Sequence, residues 1–154
     1  MGLRRQARET AIQIIYMCDM LGKWDAPTIE LFYDNFAVSP SLQQYSRLLC
    51  LGVITNLSEI DEKITQASEH WSINRICRVD RAILRVATFE MLYGLGIPRK
   101  SAINEAIEIS KSFSSEESPQ FINGVLDHID VPHADNPETA APLAEDALVK
   151  KQVA

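Results

Sequence analysis

Apolar residues recur at spacings of three and four through almost all of the first 130 residues, and no run alternates with period two for long enough to make a strand. A stripe with the helical period has to be buried, and with no strand to cover it the expected architecture is an all-α bundle of antiparallel neighbours joined by short loops. Hydrophobic residues are 46% of the sequence, sufficient for a packed interior.

Ala7, Ala11, Ile14, Ile15, Cys18 and Leu21 share one face of a first helix over about Leu3 to Leu21, which Gly22 stops. Asp25 and Pro27 open a short second helix with Ile29, Phe32, Tyr33 and Phe36 on its apolar side. After Ser39-Pro40 a long pattern runs from Leu42 to Trp71, about 45 Å at 1.5 Å per residue, with a kink expected near Gly52 to Asn56. Ser72 is placed to cap a short turn to Arg78. The helix from about Val79 to Tyr93 has apolar residues all around it, which predicts a central position, although Glu90 interrupts one side. Ser101 is expected to cap a helix over about Ala102 to Phe113, and Ser118-Pro119 to begin the last one. Gly124, inside that last helix, is expected to mark a close backbone approach. From Val131 onward the periodicity stops; prolines and scattered Ala, Asp and Glu predict a disordered tail, with a weak helix near Leu143 to Val149.

Several function classes are excluded. No apolar run approaches the roughly 20 residues of a membrane span, and the opening residues lack a signal core, so a cytoplasmic location is expected. Cys18, Cys50 and Cys77 form no C-x-x-C pair and each lies in an apolar stretch, which predicts buried reduced thiols and neither zinc nor redox chemistry. No P-loop, H-E-x-x-H or nucleophile elbow is present, and His70, His128 and His133 are dispersed; an enzyme, a metal and a cofactor are not expected. The net charge of −6 argues mildly against nucleic acid, but distribution outweighs the sum. Arg4, Arg5 and Arg8 stand near the start against Glu9, and the last twenty-four residues hold four acids against Lys150 and Lys151.

Two separated stretches resemble the NusB family. One is Arg4-Arg5-Gln6-Ala7-Arg8-Glu9-Thr10-Ala11, continuing to Tyr16. The other begins at Val79-Asp80-Arg81-Ala82-Ile83-Leu84-Arg85 and passes Pro98. It continues through Ala102-Ile103-Asn104-Glu105-Ala106-Ile107-Glu108 and Lys111-Ser112-Phe113, and closes with Phe121-Ile122-Asn123-Gly124-Val125-Leu126-Asp127. The resemblance covers roughly residues 4 to 130; from Gly22 to Trp71 it is one of helical pattern only. It implies a compact bundle of about seven helices in two helical subdomains, an RNA-binding domain over 1–130 with halves of about 1–71 and 72–130; the 131–154 tail, read from its composition, has no part in the resemblance. It also implies a transcription antitermination factor. Such a protein pairs with NusE, a small-subunit ribosomal protein, to bind the boxA segment of nascent single-stranded RNA. The complex joins bacterial RNA polymerase and supports ribosomal RNA transcription through terminators.

Arg4 and Arg8 share a helix face with Arg5 beside them, and the arginine fork suits phosphate. The resemblance assigns these three to RNA, together with Lys111 and Phe121; for Phe121 core packing and base stacking both remain open. Gln6 stands where many relatives carry another Arg, which predicts a shallower salt dependence. Glu116 and Glu117, in the loop before the last helix, should repel phosphate. Arg75, Arg78, Arg81 and Arg85 read either as a solvated face or as a further phosphate track. Tyr16 and Asp80 match positions that meet NusE, and charge reversal at Asp80 is expected to leave the fold intact. The alternative is a protein–protein scaffold or homodimer that occludes the Arg helix. Descent from the NusB-like domain attached to some RNA methyltransferases is set aside, as no catalytic domain follows residue 130 in this sequence.

Overall fold

The structure, a computed structural model, describes residues 2–93 and 96–132. The expected tail and the weak helix near Leu143 to Val149 lie outside the described residues, as do Gly94 and Leu95 of the expected loop. The described residues form an all-α fold of seven α-helices: α1 (Leu3–Leu21), α2 (Ala26–Asn35), α3 (Pro40–Thr55), α4 (Leu57–Ala67), α5 (Arg78–Tyr93), α6 (Arg99–Phe113) and α7 (Ser118–Asp127), with a 3-10 turn at Ile73–Arg75. No helix among them is long and apolar enough to cross a membrane.

The anticipated central helix is α5, buried without interruption from Asp80 to Met91. It packs against α1, α3, α4, α6 and α7, while α1 also lies along α3, and α6 pairs with α7. Buried residues of all these elements join in one contiguous core, in which Ile14, Ile15, Leu49, Ile60, Leu84, Phe89, Ile109 and Leu126 are fully enclosed. Each such side chain contributes about 1.5–3 kcal/mol relative to an exposed one.

Local chemistry sets the ends of the elements. Gly22 closes α1 in the left-handed conformation (φ 66°), and the Asp25 carboxylate caps α2 by accepting from the Thr28 amide. The long third pattern breaks at Asn56, whose side chain donates to the Gly52 carbonyl at 2.8 Å. Gly52 is required where it stands: a Cβ there would lie 2.0 Å from Cζ of Phe89.

Some boundaries depart from the sequence expectations. The helix expected to reach Trp71 ends at Ala67, because Glu69 and His70 take left-handed backbone conformations. Trp71 is thereby turned out of the helix and left half-exposed. Ser101 lies inside α6, which begins at Arg99 straight after Pro98, so it is not the cap. Gly124 does not mark a close approach among the described residues, none of which places a heavy atom within 4 Å of a Cβ built there. Cys18 and Cys50 are buried thiols as expected, but Cys77 is exposed, in the link between the 3-10 turn and α5.

Candidate nucleic-acid interface

The Arg-bearing start of α1 lies over α3, α5 and α6, and each arginine meets a different environment. Arg4 is exposed, with its guanidinium 4.1 Å from the centre of the Tyr45 ring on α3. Arg5 is half-buried and forks onto Glu105 of α6, through Nε at 2.8 Å and Nη2 at 3.0 Å. Arg8 is buried, and its Nε and Nη2 donate to the Glu90 carboxylate of α5 at 2.9–3.1 Å. The Tyr45 hydroxyl donates to the same carboxylate at 2.6 Å. A continuous chain of contacts thus runs from Arg4 through Tyr45, Glu90 and Arg8 to Glu105, 3.7 Å from Arg8, and on to Arg5.

The electrostatics follow from burial and pairing. Burial works against the Arg8 charge, but the hydrogen bonds and charge of Glu90 outweigh it and keep the guanidinium protonated. Burial, reinforced by the adjacent Glu90, pushes the Tyr45 phenol far above its ordinary range, so it stays a donor. The bonds and charge of Arg5 hold Glu105 below the usual carboxylate range. Glu105 is therefore an anion at neutral pH.

Glu108, three residues beyond Glu105 on α6, lies within electrostatic reach of Arg5. Lys111 is exposed in the last turn, six residues beyond Glu105 and about 9 Å further along the axis, where it pairs with Glu108 at 2.8 Å. The loop that follows is fixed by Asp80 at the start of α5, which accepts from Ser114 Oγ at 2.6 Å and Ser118 Oγ at 3.1 Å. Beyond it Phe121 is half-buried, its ring tilted against Trp71 with centroids 6.3 Å apart. Both rings line an open groove of about 300 Å³, together with Arg75, Asp80 and Glu117.

Three expectations are corrected by these positions. Arg8 does not present its fork to solvent; its side chain is 8% exposed and its donors serve Glu90. Asp80 is only 7% exposed and holds two hydroxyl donors, so reversing its charge would break the loop anchor instead of leaving the fold intact. Arg81 and Arg85 are buried inside the bundle, Arg81 on Asp19 at 2.8 Å and Arg85 on Asp19 at 3.1 Å and Asp61 at 2.8 Å. The basic stripe is therefore not an exposed phosphate track; only Arg75 and Arg78 remain at the surface. Tyr16 is 37% exposed on α1, two turns beyond Arg8 and separate from the arginine cluster.

Tyr45, Glu90 and Glu105 escaped the sequence reading as site residues. Two signals were available: Glu90 interrupts an apolar face, and Arg8 lies within the apolar stripe between Ala7 and Ala11. A charge of each sign on buried faces of two helices points to a buried pair. Among the described residues, no three His, Cys, Asp or Glu side chains gather as a metal site.

A family model described as NusB family matches residues 5–130. The transcription antitermination protein NusB of Geobacter sulfurreducens is 45% identical over 130 residues, spanning 84% of this chain and 94% of its own length. That of Desulforamulus reducens is 41% identical over 142 residues, spanning 91% and 95%. Among solved structures, T. maritima NusB superposes with a TM-score of 0.71 at 33% identity, covering 86% of this chain and 91% of that one. A chain in a crystal structure of the antitermination factors NusB and NusE in complex with dsRNA gives 0.69 at 25% identity, covering 84% and 96%.

Proposed function

This chain belongs to the NusB family of transcription antitermination proteins, and from that premise we propose that it binds boxA-type nascent RNA jointly with NusE. The pair joins bacterial RNA polymerase and supports ribosomal RNA transcription through terminators. The observation that carries the reading is the accessible pair Arg4 and Arg5, held at the start of α1 by Tyr45 and Glu105, with Lys111 further along α6. The likeness to a chain in a structure of NusB and NusE in complex with dsRNA supports the choice of partners.

Each residue has a distinct part. Arg4 and Arg5 supply guanidinium donors to phosphates, and Lys111 adds a point charge further along. Arg8 is a positioning residue: its buried pair with Glu90 fixes α1 against α5, and with it the two outer arginines. Phe121, partly exposed at the edge of the groove, offers a face on which a splayed base stacks. Tyr16 presents a phenol to NusE, and Asp80 shapes the adjoining loop through Ser114 and Ser118.

Replacing Arg4 and Arg5 together by Gln tests this assignment without touching the core. Titration of a labelled boxA-type oligonucleotide in the presence of NusE should show binding weakened about tenfold. The slope of log K against log salt should be shallower by about 0.7 for each lost phosphate contact. Wild-type affinity and slope in the double variant would remove the arginine face from the account.

A further inference from the structure

Three of the cations assigned to RNA from the sequence engage carboxylates of the chain itself: Arg5 with Glu105, Arg8 with Glu90 and Lys111 with Glu108. The pairs are not equivalent. Lys111–Glu108 is an exposed pair three residues apart on one helix, easily exchanged for solvent. Arg8–Glu90 is enclosed and out of reach of a ligand. Arg5–Glu105 is intermediate, with side chains 32% and 26% exposed, and is joined by two parallel bonds in the fork geometry a phosphate would also adopt. Glu105 has a second cation at hand, Arg8 at 3.7 Å, so leaving Arg5 does not strand its charge.

We infer that Glu105 is an internal competitor for RNA phosphate at Arg5 and thereby a determinant of specificity. In the unbound chain the carboxylate occupies the Arg5 fork; RNA docks there by displacing it toward Arg8. At that position an arbitrary RNA exchanges one anion for another and gains little. An RNA that also places bases on neighbouring side chains, or is held by NusE, recovers the difference. The inference rests on the RNA-binding reading above and adds to it a residue that opposes binding.

Glu105→Gln keeps the size and removes the charge, and Glu105→Asp keeps the charge. Both are tested in the full chain with NusE, against a boxA-type oligonucleotide and a scrambled one of equal length, across a salt series. Glu105→Gln should tighten the scrambled RNA about fivefold, tighten the boxA-type RNA less, and steepen the salt slope by about 0.7. Glu105→Asp, which keeps the charge but shortens its reach to the Arg5 fork, should fall between wild type and Glu105→Gln on the scrambled RNA. In an Arg5→Gln background the effect of Glu105→Gln should vanish. Weaker binding by Glu105→Gln, or an unchanged slope while wild type binds normally, would overturn the inference and make Glu105 a mere support for Arg5. Persistence of the effect without Arg5 would overturn it too. Failure of wild type to bind either RNA would instead defeat the functional reading itself.

Discussion

Glu90 carries a charge in the middle of the most enclosed helix, and three groups make that tolerable: two donors of Arg8 and the hydroxyl of Tyr45. Removing one partner of such a pair leaves the other charge buried without compensation. Glu90→Gln should therefore cost about 3 kcal/mol in urea unfolding, well beyond an ordinary surface change; a loss under about 1 kcal/mol would show that Arg8 finds water or another acid. Glu117 illustrates the opposite case. It is exposed beside the groove, directly before α7, and its charge opposes phosphate. Asn removes the charge while remaining a favourable residue at a helix start, so Glu117→Asn should tighten RNA binding about threefold in a filter titration. Unchanged or weaker affinity would count against phosphate passing this loop. At this scale the sequence shows that Arg4 and Arg8 share a face, because spacing alone decides that. It does not show that one is exposed and the other enclosed, because Glu90 is 82 residues from Arg8 along the chain. Arg81 and Arg85 mislead for the same reason: their partners Asp19 and Asp61 lie on other helices.

Between α3 and α4 the chain shows how one residue shapes an element. Gly52 admits the Phe89 ring where any Cβ would collide, and Asn56 ends α3 four residues later. Gly52→Ala should destabilise by about 3 kcal/mol through overpacking, although alanine is the better helix former by about 1 kcal/mol. Neutral or raised stability in thermal unfolding would mean that Phe89 moves aside without strain. The existence of the helices, and the break near Gly52 to Asn56, were legible from periodicity and weak helix formers. The boundaries at Trp71 and Ser101 were not. Two successive left-handed residues that are not glycine leave no compositional mark, and Pro98 serves as a helix start where Ser101 looked the better cap. Gly124 is the reverse case: its presence was read as a contact, but among the described residues nothing approaches it.

The whole molecule carries a net charge of −6 and is nevertheless assigned to RNA. Several of its cations are also taken up within the chain: Arg81 and Arg85 pair inside the bundle, Arg8 is enclosed and Arg5 is joined to Glu105, so the proposed RNA face at the start of α1 and on α6 carries less free positive charge than its arginines alone would give. Such a surface gives weak unaided affinity and depends on a partner for the rest. The helical fold was legible in the periodicity, and the family in the order of specific strings such as Phe121-Ile122-Asn123-Gly124-Val125-Leu126-Asp127, whereas the self-neutralisation of the face was not, since it consists of contacts between distant helices. Titration of a boxA-type oligonucleotide with the wild-type chain, with and without NusE and across a salt series, tests this account most directly. The account predicts weak, salt-sensitive binding by the chain alone, tightened at least about tenfold by NusE. Equal affinity with and without NusE, or binding indifferent to salt, would contradict it.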